Sequence, residues 1–260
     1  MTLFPALLRE LTPARAAFSE RDPDLPGMGN ASLAFGSKEE ALCVRAGILS
    51  QIGLDLEALV LAEQVHGDVI HRARFGDRGR GSLSQADRLP PGDGLVTDVP
   101  GLAVGVLVAD CCCILVADRG GRAVGAFHSG WRGTVAGIAA RAVETFEREF
   151  KILPDELMAW ISPAISVRNY TVGAEVWNAV RERWGTDRLR EDPLRVDLAG
   201  LCRDQMVQAG LPAAAIEVCD GCTLESPRWF SHRRGDLPEG RMLGVIALPG
   251  VAPTGSRRGT

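Results

Sequence analysis

The sequence predicts a mixed α/β fold, α+β-like in that its β-sheets pack together and helices flank them. Strand-like runs cluster between residues 58 and 128 and return at the end of the chain. Helical spacing of apolar residues recurs after residue 134. Strict β-α alternation is absent, which argues against a doubly wound parallel sheet.

The elements follow in order. A helix is expected over 39–52. Strand-like runs occupy 58–64, 68–74, 94–98, 102–108, 112–117 and 122–128, many bounded by Gly, Pro or Asp. Asp118, Arg119, Gly120 and Gly121 read as a hairpin turn between the last two. After Thr134, the spacing of Val135, Ile138, Ala142, Phe146 and Phe150 predicts an amphipathic helix. A similar pattern covers 172–184. Asp197 can cap a helix carrying Leu198, Leu201, Cys202 and Met206, and Gly210 can end it. Runs at 157–162, 216–219, 229–232 and 241–248 are further strands. Residues 1–250 are expected to form one domain and 251–260 a flexible tail.

Composition excludes several classes. With 260 residues, 46% of them hydrophobic, the chain can bury a full core. A net charge of −4 argues against nucleic acid as a partner, and the Arg-dense stretch 72–88 reads as a solvated loop. No apolar run approaches the roughly 18 residues of a membrane span. The N-terminus lacks the layout of a signal peptide, so a cytoplasmic protein is expected. The seven Cys are odd in number and three are consecutive, which fits no disulfide framework.

Three segments carry chemistry. Residues 63–67, E-Q-V-H-G, end an apolar run in His66. Residues 108–111, V-A-D-C, end another in Asp110 and Cys111. Residues 125–134, G-A-F-H-S-G-W-R-G-T, place His128 before a Gly-rich turn. Two imidazoles and one thiol at strand ends are the ingredients of a three-ligand zinc site. Alternation along a strand sends neighbours to opposite faces, so the three thiols cannot all share one site. Cys111 stands beside Asp110 at the turn, while Cys112 and Cys113 run into Ile114, Leu115 and Val116 and read as small core residues. His71 reads as solvated, and His232, beside Arg233 and Arg234, as a candidate for anion binding.

QVHG (64–67), DGLVTD (93–98), ADC (109–111), HSGWRGT (128–134), SPAIS (162–166), CT (222–223), FSHRRG (230–235) and GR (240–241) occur in one order. Together they closely resemble the YfiH-like family, also labelled laccase-domain or polyphenol oxidoreductase and associated with purine nucleoside phosphorolysis. The resemblance implies a single domain of two packed sheets flanked by helices. It implies zinc held by His66, Cys111 and His128, phosphorolysis of adenosine, inosine, guanosine and methylthioadenosine, and adenosine deamination. The chain departs from the family at Cys113, where Pro is frequent, and at Arg168, Asn169 and Tyr170, where a Cys often precedes the Tyr.

The chemistry is consistent with this. A zinc site of two imidazoles and one thiolate can activate water for attack on C6 of adenine. A carboxylate must move protons, and Asp93, Asp110 and Glu63 are the candidates. Phosphate needs guanidinium forks, for which Arg132 and Arg233 are the choices, with Ser129 in the same Gly-rich turn. Four His in total, with no His-x-His pair, cannot build a multicopper cluster, although a mononuclear Cys/His copper site remains an alternative to zinc. Other readings are a Cys111–His128 hydrolase, including a peptidoglycan-editing factor, and a metal-dependent binding module. Oligomeric state is open between monomer and weak dimer.

Overall fold

The computed structural model describes residues 2–250, so the tail expected over 251–260 lies outside the described residues. Two sheets stack face to face. One has five strands in the order Thr2–Leu3, Arg15–Ser19, Met242–Ala247, Ala103–Val108 and Leu59–Val60. The other has six, in the order Ile216–Val218, Leu157–Ile161, Cys112–Asp118, Val124–Ser129, Gly94–Thr97 and Ile70–Arg72. Parallel and antiparallel pairs mix in both sheets.

Side-chain alternation builds three cores from these two sheets. Between the sheets, Phe18, Val104, Val106 and Ile246 meet Leu115, Ala117, Ala126 and Trp160. Phe18 and Trp160 contact edge-on there, with ring centroids 5.5 Å apart. Beyond the six-stranded sheet, Val96, Ile114, Val116 and Phe127 are covered by helices Ile138–Phe150 and Leu198–Gln208. Beyond the five-stranded sheet, Ala17, Leu59 and Val245 are covered by Val44, Ile48 and Leu49 of helix Lys38–Gln51. The architecture is thus helix, sheet, sheet, helix, as the absence of β-α alternation predicts. Asp197 caps its helix through Gly200 N–H at 2.9 Å, and Gly210 follows with φ 96°. Among the described residues no helix is long and apolar enough to cross a membrane.

The 118–121 hairpin has a built turn. The buried Asp118 carboxylate accepts Arg122 N, Nε and Nη2 at 2.9, 2.8 and 2.6 Å. Burial pushes this carboxyl up, but the Arg122 donors outweigh it and hold it below the usual value.

Three elements differ from expectation. The helix expected after Thr134 starts at Trp131 and breaks at Gly137 (φ 92°) into Trp131–Ala136 and Ile138–Phe150. Residues 229–232 form no strand. That segment wraps instead around Arg234, whose guanidinium donates to the carbonyls of Thr223, Leu224, Ser226 and Trp229 and pairs with Asp236. The run over 58–64 splits, because Ala62–Glu63 leaves the sheet to pair with Leu89–Pro91.

Candidate active site

The three chemistry-bearing segments converge at one rim. Cys111 immediately precedes strand Cys112–Asp118, His128 lies near the end of Val124–Ser129, and His66 follows Ala62–Glu63. One ligand atom from each of His66, Cys111 and His128 lies within 4.8 Å of the others. The two imidazoles stand edge to face at 84°, with ring centroids 4.7 Å apart. The consecutive thiols part, and alternation within the strand accounts for Cys112 against Cys113. Cys111 faces a cavity, Cys112 enters the core under the helices, and Cys113 enters the core between the sheets.

Backbone geometry aims these groups. His66 and Asp110 hold left-handed φ values of 63° and 74°, a conformation that costs a non-glycine residue about 1–3 kcal/mol. Gly130 leaves the space that the ligands need. A Cβ there would lie 2.9 Å from His66 Cδ2 and 3.0 Å from Cys111 Sγ. Gln64 fastens its loop to the five-stranded sheet by two bonds of 2.8 Å to the Leu107 backbone.

Asp93 ties the cluster together. Its fully buried carboxylate accepts the N–H groups of Val65, His66 and Gly67 at 3.1, 3.0 and 2.7 Å, and His128 Nδ1 at 2.7 Å. Burial raises the Asp93 pKa, but these bonds outweigh it and leave the group below its ordinary value. Burial likewise lowers the His128 imidazole, while the Cys111 thiolate and Asp93 raise it to about 9. Burial pushes the Cys111 thiol up, while His128 and then His66 bring it down to about 6. The thiolate is therefore the favoured form near neutrality.

The other sequence candidates separate. Of the three carboxylates, only Asp110 lines the cavity. Its Oδ1 accepts Thr223 Oγ1 at 2.5 Å and its Oδ2 accepts Arg233 N at 2.7 Å. Asp93 is an orienting group away from the cavity wall, and Glu63 is exposed outside it. Ser129 does not reach the cavity. It points to the opposite face of its strand from His128, where its hydroxyl bonds Thr134 Oγ1 at 2.8 Å and Cys202 Sγ at 3.3 Å. Nor does His71, whose Nε2 lies 3.0 Å from Pro91 O. His232 does line the cavity.

The cavity measures about 550 Å³, within the usual range for a small-molecule site. Four guanidiniums line it: Arg88, Arg132, Arg233 and Arg241. Three sit over aromatic faces, Arg132 on Trp131 at 4.2 Å, Arg233 on Tyr170 at 5.2 Å and Arg241 on Phe35 at 4.4 Å. Among the described residues none of the four has a carboxylate partner within ion-pair distance. Arg88 and Arg241 escape a reading by motif. The first lies in the stretch expected to be a solvated loop, and the second stands in the short GR segment.

A family model described as multi-copper polyphenol oxidoreductase laccase matches residues 27–249. The chain belongs to this family. A relative from Geobacillus stearothermophilus, named purine nucleoside phosphorylase YlmD, is 35% identical over 213 residues, covering 78% of this chain and 76% of that protein. A protein of Bacteroides thetaiotaomicron named purine nucleoside phosphorylase is 32% identical over 202 residues, 74% of each chain. The crystal structure of the hypothetical protein YfiH from Bacillus licheniformis superposes with a TM-score of 0.87 at 31% identity, covering 95% of this chain and 96% of that one. That of YlmD from Geobacillus stearothermophilus gives 0.85 at 32% identity, covering 92% and 93%.

The donor set of this laccase-family chain fits a metal ion. It offers one thiolate and two imidazoles on a cavity wall. Asp93 occupies Nδ1 of His128 and leaves Nε2 for ligation, the carboxylate–histidine arrangement that orients metal-binding imidazoles.

Proposed function

We propose that this chain is a zinc-dependent purine nucleoside phosphorylase acting on adenosine, inosine, guanosine and methylthioadenosine, with adenosine deaminase activity. One observation carries the reading. The His66–Cys111–His128 cluster shares a cavity with Arg132 and Arg233, neither of which has a carboxylate ion-pair partner among the described residues. The names of the relatives at 35% and 32% identity supply the substrate class. Three protein ligands with thiolate among them favour zinc, with copper the alternative.

The residues divide the work. Arg132 and Arg233 hold phosphate in a forked geometry and orient it toward the sugar. Their aromatic partners limit the rotamers open to each guanidinium. Asp110, with both oxygens fixed by Thr223 and the Arg233 backbone, is the carboxylate placed to carry a proton at the cavity wall. Zinc held by His66, Cys111 and His128 would supply Lewis acidity at that wall. Asp93 fixes the His128 ring and, through three N–H groups, the His66 loop. The partners are nucleosides and phosphate, the setting the cytoplasm, and the chain a monomer or weak dimer.

The test is base release and ribose 1-phosphate formation by metal-defined protein across a phosphate titration. Base release that rises from near zero with phosphate supports the reading. Equal release at zero and saturating phosphate makes the enzyme a hydrolase and overturns it.

A second reading rests on the same atoms. Cys111, His128 and Asp93 form a thiolate–imidazole–carboxylate chain, with the thiol brought down to about 6, as a thiol hydrolase requires. Full activity after chelation would favour it.

A further inference from the structure

The cavity continues past the His66–Cys111–His128 cluster. Ser32, Gln64, Arg88 and Leu107 line both the main cavity and a side pocket of about 50 Å³. Asp110, Tyr170 and Arg233 line only the main cavity, so Arg88 marks its other end.

This end carries concentrated positive charge. Arg45 lines the side pocket and is only 1% exposed. Its Nε donates to Ala31 O at 2.7 Å, and its Nη1 to Gly81 O at 2.9 Å and Ser82 O at 2.5 Å. All three acceptors are neutral carbonyls. Among the described residues neither Arg45 nor Arg88 has an ion-pair partner. A guanidinium so buried is normally paired, because an isolated buried charge is costly. Burial, and then the positive charge of Arg88, draw the Arg45 pKa down to about 10.

Arg88 is also held in place. A Cβ at Gly81 would lie 2.8 Å from Arg88 Cγ, so the missing side chain makes room for the Arg88 stem. Arg88 Nε donates to Gln85 O at 3.0 Å, and Arg80 Nη2 donates to Arg88 O at 3.1 Å. The terminal nitrogens of Arg88 are thereby presented on a fixed stem at the junction of the two cavities. A small oxyanion there meets a preorganised fork backed by a second, buried positive charge.

We propose that the Arg88 end is an anion subsite that accepts the phosphate ester of a purine nucleoside 5′-monophosphate. The nucleoside part of this assignment rests on the proposed function, while the subsite rests on Arg88 and Arg45 alone. It is distinct from Arg132 and Arg233, which do not line the side pocket and to which the proposed function gives inorganic phosphate.

Calorimetric titration of the full-length protein in phosphate-free buffer tests this. The probes are guanosine, guanosine 5′-monophosphate, ribose 5-phosphate and inorganic phosphate. Without inorganic phosphate neither guanosine nor its nucleotide is consumed by phosphorolysis. The nucleotide is expected to bind about tenfold or more tightly than guanosine, the size of a charge-assisted bond. Arg88→Ala and Arg88→Gln should bring that ratio close to one. Arg119→Ala, which removes the same charge at the distant exposed hairpin, should leave the ratio intact. A nucleotide no tighter than guanosine, or a ratio that survives both Arg88 variants, overturns the proposal. Inorganic phosphate binding as tightly as the nucleotide, with the same dependence on Arg88, assigns the subsite to the free ion and overturns the ester. Ribose 5-phosphate binding through Arg88 while guanosine fails to bind keeps the subsite and defeats the nucleoside reading instead.

Discussion

Asp93 Oδ1 and His128 Nδ1 lie 2.7 Å apart in a fully buried pair, and the same carboxylate gathers the backbone of residues 65–67. One side chain therefore sets both the His128 ring and the loop carrying His66. Asp93→Asn keeps the shape but cannot accept both sets of protons. Zinc affinity, read by competition with a chromophoric chelator, should fall about 10–100-fold, the usual cost of losing such a partner. Unchanged affinity in a folded variant would show that Asp93 is only structural.

The three consecutive thiols should behave as three different residues. Cys111→Ala is expected to abolish metal binding and activity. Cys112→Ala and Cys113→Ala should bind metal normally and lose roughly 1–2 kcal/mol of stability, as buried small hydrophobes do. Metal analysis beside denaturant unfolding separates these outcomes. Loss of metal in Cys113→Ala with retention in Cys111→Ala would reverse the ligand assignment.

Arg233 and Arg234 are adjacent in sequence and differently placed. Arg233 faces the cavity over Tyr170, whereas Arg234 is spent on four carbonyls and Asp236. Arg233→Ala and Arg132→Ala should each cost about 10²-fold in phosphorolysis, with little change in melting temperature. Their Lys variants should still be impaired, because the fork is lost. Adenosine deamination uses no phosphate and should fall less. Arg234→Ala should instead lower stability by about 2–4 kcal/mol. Equal loss of both activities in the Arg132 and Arg233 variants would make those arginines structural.

Asp118 supplies a pH test. Its folded pKa is depressed, so its contribution is present above the unfolded value of about 3.9 and fades as pH falls through the folded one. Asp118→Asn should lose about 1–3 kcal/mol at pH 7. The gap to the unmutated protein should narrow below about pH 4. Thermal melts between pH 3 and 7 check this, and a gap independent of pH would assign the loss to shape alone.

Most of the layer plan is legible in the sequence, because strands 103–108, 112–118 and 124–129 are apolar runs cut by turn residues. Arg15–Ser19 is not, since R-A-A-F-S carries no β-branched residue, and pairing with Thr2–Leu3 and Met242–Ala247 makes it a strand. The cluster of His66, Cys111 and His128 is legible because each residue ends its own apolar run. The roles of Asp93 and Ser129 are not, since they depend on which way a side chain turns at a strand end. Arg88 and Arg241 are hidden for a different reason. Their neighbours in the cavity come from distant loops, and no local pattern marks a long-range wall.

The positive φ values at His66 and Asp110 both carry backbone strain, and at His66 that strain sets stability against function. Both backbones would rest more easily as glycine. Selection for heat resistance alone, blind to turnover, should therefore fix glycine at 66 early, whereas at 110 the carboxylate's bonds to Thr223 and the Arg233 backbone oppose the change. The lineage that gains those degrees would carry an intact sandwich with no chemistry at its rim.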